Sequence, residues 1–173
     1  MSGSDLGELR YHDDVLVILA RRNLLALAWY DAPRRGHLLE VLRQMQAIQR
    51  ASPTPPCLLN VVIRGTPSFS DEVREEAARL VRGTDQFESA TAHVIEVEGF
   101  PGTATRMFLS TMLLISRQRP KVRVFADYRE GVKWLEQGAG PTGVVSAEAL
   151  RLYEQLKSIA PAAASSSGSA LPR

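Results

Sequence analysis

The stretch from Pro56 to Arg82 constrains the fold more than any other. Leu58-Leu59-Asn60-Val61-Val62-Ile63 is a nearly continuous apolar run of strand length. Such a strand suits a sheet covered on both faces. Gly65-Thr66-Pro67-Ser68-Phe69-Ser70-Asp71 follows as a turn. From Asp71 to Arg82, Val73, Ala77, Leu80 and Val81 share one face of a helix. Strand, turn and helix in that order predict one βα unit of a parallel sheet. Ser68 and Ser70 fall where the strand hands over to the helix N-terminus. Free N–H groups and the positive end of the helix dipole converge there, which is where α/β folds place ligands and phosphates.

The rest of the chain repeats the pattern. Val15 to Ala20 and Leu24 to Tyr30 are apolar strands, and the polar Arg21-Arg22-Asn23 between them suits a hairpin, with Asn able to take positive φ. His37 to Arg50 carries Leu38, Val41, Leu42, Met45 and Ile48 at helical spacing, and the proline cluster at 53–56 ends that helix. Ala90 to Val97 is a fourth strand. The turn Glu98 to Gly102 leads to a third, largely apolar helix from Thr103 to about Ser116. Val122 to Phe125 is the fifth strand. Asp127 and Glu130 make a capping-box-like start to a helix over Tyr128 to Gln137, anchored by Trp134 and Leu135.

This reading divides the chain into a loose N-terminus (1–9), an α/β domain (10–138), a Gly/Pro linker (139–145), a C-terminal helix (146–160) and a disordered tail (161–173). The expected fold class is α/β, with element order β-β-α-β-α-β-α-β-α and an extra C-terminal helix. Its sheet is five-stranded and mostly parallel, the first strand antiparallel. The C-terminal helix lies outside the alternation. Its stripe of Ala149, Leu152, Leu156 and Ile159 is expected to pack on its own domain, with pairing to a second subunit as the alternative.

Composition bounds the function. The 173 residues suit one well-buried domain. A formal charge of +2 points to no acidic partner, and the pairs Arg21-Arg22 and Arg34-Arg35 lack the aromatic interleaving of a nucleic-acid surface. The single Cys57 opens an apolar strand, which predicts a buried structural thiol and no cysteine-based zinc site. The start of the chain lacks the basic-then-apolar pattern of a signal peptide, and no run approaches the ~18 apolar residues of a membrane span. A cytoplasmic protein without cofactor or metal is expected. His12, His37 and His93 have neither metal-ligand spacing nor a partnered nucleophile, so no catalytic residue is assigned.

The element order at this length, over about Tyr11 to Gln137, resembles the STAS domain. That is the fold of bacterial anti-sigma-factor antagonists and of sulfate-transporter tails. The C-terminal half is similar to uncharacterised bacterial, myxobacterial-type STAS-like proteins. The likeness lies in Val97-Glu98-Gly99-Phe100-Pro101-Gly102, Arg106, Pro120, Val124-Phe125 and Trp134-Leu135. The resemblance implies a non-catalytic regulatory module, monomeric or homodimeric, with a kinase or anti-sigma-type protein partner. It also implies a phosphorylated hydroxyl at the N-terminus of the second helix. Ser68 and Ser70 match by position, although the family's Asp-hydroxyl-Gly order is absent here. For these serines, helix capping stands beside the phosphorylation switch. For Gly99, Gly102, Thr103 and Arg106, a ligand- or anion-binding turn stands beside a plain glycine turn with Thr103 as cap. The second functional reading is accordingly a small-ligand sensor or carrier with a pocket near the helix N-termini.

Overall fold

Side chains alternate across an extended chain, so each strand here divides its residues between the two faces of the sheet. The computed structural model describes residues 6–64, 71, 72, 75, 76, 79, 90–97, 99, 122–138, 143 and 145–159. Strands β1 (Glu8–His12), β2 (Leu16–Arg21), β3 (Leu24–Trp29), β4 (Cys57–Val62), β5 (Ala90–Ile95) and β6 (Val122–Phe125) form one six-stranded sheet in sequence order. β1–β2 and β2–β3 are antiparallel, whereas β3 to β6 are parallel to one another. The helices bounded by described residues are α1 (Arg35–Ala51), α2 (Tyr128–Gly138) and α3 (Ser146–Ser158). Asp71, Glu72, Glu75, Glu76 and Arg79 are also helical, inside the expected second helix. The α/β class holds, with one strand more than expected.

That strand is β1. It takes in Glu8 and Leu9, which composition places in a loose terminus. Its charged, largely exposed sequence gives no apolar signal, as suits an edge strand. Its ladder to β2 shifts register between Leu9 and Tyr11. The Gly7 N–H donates to Gln155 Oε1 at 2.7 Å, and Gln155 Nε2 donates back to the Gly7 carbonyl at 3.0 Å, so the strand is pinned to α3.

Each step from β3 to β6 advances one place in the same direction. A right-handed crossover between neighbouring parallel strands puts its helix on one particular face of the sheet. α1 lies there, with Leu38, Val41, Met45 and Ile48 packed on Leu16, Ile18, Leu25, Leu27 and Leu58. Glu76 belongs to the same side, since its buried carboxylate accepts from Arg35 Nε at 3.2 Å. The other face is left to whatever follows β6. α2 covers it over β4, β5 and β6, and α3 covers it over β2 and β3. Val132 and Leu135 of α2, with Ala149, Leu152 and Leu156 of α3, join Leu19, Ala26, Leu59 and Ala92 in that core. The C-terminal helix thus packs on its own domain. Gly131 lets α2 approach closely, because a Cβ there would stand 3.1 Å from Val94 Cγ2.

Local chemistry sets the ends of these elements. Asp127 Oδ1 accepts the N–H groups of Arg129 and Glu130 at 2.7 and 3.3 Å, which caps α2 as its sequence implies. In the β2–β3 turn the positive φ, 53°, belongs to Arg22 and not to Asn23. Asn23 is buried and committed elsewhere. Its Nδ2 donates to the Pro55 carbonyl at 2.8 Å, and its own carbonyl accepts the Cys57 N–H at 2.7 Å. Cys57 is buried as expected, and burial pushes its thiol up to about 11.

Candidate functional site

Parallel strands end on the same side, so the carboxyl ends of β4, β5 and β6 converge at one edge of the sheet. A cleft of about 770 Å³ opens there. Ile63 and Arg64 follow β4, Glu96, Val97 and Gly99 follow β5, and Ala126, Asp127 and Tyr128 follow β6. Tyr153 and Lys157 close the far side. They stand four residues apart on α3 and therefore share a helix face.

Glu96 organises the wall. Its Oε2 accepts from Lys157 Nζ at 2.9 Å, and its Oε1 accepts the Tyr153 hydroxyl. Burial, and then this bond to Glu96, raises the Tyr153 pKa well above the ordinary phenol value. Tyr153 is thereby a fixed donor. Tyr128 stacks on it with centroids 3.9 Å apart and planes at 10°, and Lys157 Nζ lies 5.5 Å from the Tyr153 ring centre. Across the cleft the exposed Arg64 guanidinium sits 5.4 Å over the Tyr30 ring. Tyr30 is itself held by its hydroxyl donating to the Ile159 carbonyl at 3.1 Å. Among the described residues Arg64 makes no ion pair. Gly99 carries a φ of 73°, a conformation that favours glycine.

Two further polar clusters lie away from this cleft. On the α1 face, Trp29 Nε1 donates to Asn60 Oδ1 at 2.6 Å, and Asn60 Nδ2 donates to His93 Nδ1 at 2.6 Å. Asn60 and His93 are register partners on β4 and β5. The His93 residue keeps some accessible surface, but its imidazole is enclosed, and that burial holds its pKa down at about 4. At the β1–β2 turn, Asp13 Oδ1 accepts the N–H groups of Val15 and Leu16 at 2.8 and 2.7 Å. Its Oδ2 accepts the Tyr11 hydroxyl at 2.7 Å and faces His37 Nε2 at 2.9 Å. The Arg34 N–H donates to His37 Nδ1 at 3.0 Å, so the imidazole proton lies on Nε2 and is donated to Asp13. This cluster ties the turn to the start of α1.

Of the candidates read from sequence, Gly99 lines the cleft. Ser68, Ser70, Gly102, Thr103 and Arg106 lie outside the described residues, as do the expected third helix and the tail. Arg64, Glu96, Tyr153 and Lys157 carry the cleft's polar chemistry, and sequence reading did not single them out. The available signal was the four-residue spacing of Tyr153 and Lys157. Among the described residues no group of His, Cys, Asp and Glu has the geometry to hold a metal ion. No described helix is long and apolar enough to cross a membrane. In comparison with known proteins, no family model and no curated protein matches the chain.

Proposed function

We propose that the chain is a non-catalytic, cytoplasmic regulatory module of bacterial STAS-like type, acting by binding a protein partner of kinase or anti-sigma kind. The observation that carries this reading is the topology. An antiparallel hairpin leads into parallel strands, as expected for a hairpin followed by βα units, the element order along the chain that resembles the STAS domain. The side chains at the carboxyl edge favour binding over turnover, since Tyr153 is held protonated and both Glu96 oxygens already accept donors. Ser68 and Ser70 are the positions at which such a module would be switched. Affinity capture from the native cell, followed by phosphate mapping, tests the reading. A signalling protein recovered by wild type and lost with Ser68→Asp or Ser70→Asp supports it, and turnover in a broad substrate screen overturns it. Light scattering of the purified chain separates monomer from homodimer.

The cleft favours a second reading, a small-ligand sensor or carrier. Its wall includes the N-terminal end of α2, and its volume lies within the roughly 300–1,000 Å³ typical of ligand pockets. Native mass spectrometry of freshly purified protein tests this, the expected result being a co-purifying small molecule.

A further inference from the structure

We propose that the carboxyl-edge cleft binds a small organic anion, a carboxylate or a phosphate ester, gripped by the Arg64 guanidinium. This rests on the ligand-binding reading and names its ligand class.

The argument starts from charge. Among the described residues, two cations and two carboxylates line the cleft: Arg64, Lys157, Glu96 and Asp127. Lys157 is committed to Glu96 at 2.9 Å. Glu96 also accepts Tyr153, so both its oxygens are engaged. Asp127 turns Oδ1 onto the N–H groups that open α2, where the helix dipole favours its charge. Arg64 is the remaining charge, with no carboxylate beside it among the described residues.

Its geometry suits the task. The Arg64 guanidinium carbon lies 5.4 Å over the Tyr30 ring, a cation–π contact on one side of the group, and the bond from Tyr30 to the Ile159 carbonyl keeps that ring in place. A planar guanidinium held by one face keeps its N–H edges for a bidentate contact, which carboxylate and phosphate oxygens match. A bare inorganic ion would leave most of the roughly 770 Å³ empty. Ile63 and the Tyr128–Tyr153 stack supply an apolar and aromatic surface for the ligand's carbon skeleton. A cationic ligand of the same shape would meet Arg64, which has no carboxylate beside it among the described residues, and a Glu96 with both oxygens engaged.

The test is an amide NMR titration of the full chain with benzoate, phenyl phosphate and benzylamine, which share a ring and differ in charge. Benzoate and phenyl phosphate should shift the amides of Arg64, Glu96, Val97, Gly99 and Tyr128, and benzylamine should not. Arg64→Gln should weaken both anions by about tenfold or more, and Arg64→Lys should restore part of the loss. Arg64 is exposed, so neither change should disturb the fold. Benzylamine shifting the same amides as strongly, or Arg64→Gln binding the anions as well as wild type, would overturn the anion assignment and leave the ligand reading standing. Shifts from none of the three probes would overturn both.

Discussion

Gly7 stands so close to Leu152 that a Cβ on Gly7 would overlap Leu152 Cδ1. Leu152 is 1% exposed and packed in the α3 core, so it has little room to move away. The edge strand therefore enters the sheet through a gap that only glycine fits. Gly7→Ala should destabilise the protein by about 1–3 kcal/mol through overpacking. Chemical denaturation checks this. Gly36, where a Cβ would meet nothing, supplies the control, and Gly36→Ala should be neutral or slightly stabilising.

Asp13 gives the protein an acid-sensitive turn. Burial alone would push its pKa up, but the bonds from Tyr11, Leu16, Val15 and His37 outweigh that and hold it at about 2. A folded pKa below the unfolded one contributes stability above the ordinary value of 3.8, and that stability is lost as pH falls toward 2. Melting temperature should drop across this window, and Asp13→Asn should flatten that part of the profile. Asp13→Ala should cost about 1–3 kcal/mol at neutral pH, because the donors it serves lose their acceptor.

His93 works in the same sense over a higher range. Its folded pKa of about 4 lies below the ordinary 6.5, so between these values the unfolded chain binds the extra proton. Stability should therefore rise as pH climbs from 4 to 6.5 and level off above it. Imidazole NMR shifts of His93 should titrate near pH 4. Asn60→Ala should cost about 1–3 kcal/mol by stranding Trp29 Nε1 and His93 Nδ1.

Leu156 tests the docking of α3. It is fully buried against the sheet, and Leu156→Ala should lower stability by about 2–5 kcal/mol. Leu39 on α1 is 44% exposed, and Leu39→Ala should change stability by less than about 0.5 kcal/mol. Equal melting temperatures for the two variants would contradict the packing of α3.

Strands β2 to β5 were legible in the sequence because their apolar residues are buried in the sheet, and β6, which has no buried residue, was legible through Val122, Val124 and Phe125. β1 was not, since Glu8, Arg10 and His12 interrupt its few apolar positions, and a sheet edge has no need of them. α2 and α3 were legible through the Asp127 cap and the Leu152–Leu156 spacing. The positive φ falls on Arg22 and not on Asn23, the residue type that takes it readily, because the tertiary bonds of Asn23 to Pro55 and Cys57 do not show in local propensity. The cleft was mostly hidden. Arg64, Glu96 and Lys157 each look like solvated surface when taken singly, and only the fold brings them to one edge. Gly99 was found because a glycine-rich turn marks itself.

The strand order also carries a consequence for synthesis. A ribosome releases the chain from its N-terminus, so all six strands emerge before α2 and α3 do. The nascent sheet can be fully paired while Leu19, Ala26, Leu59 and Ala92 still lie open on one side. Exposed apolar surface of that kind is what aggregation and chaperones act on. Until α2 and α3 have followed, the sheet stands without the cover they give that face.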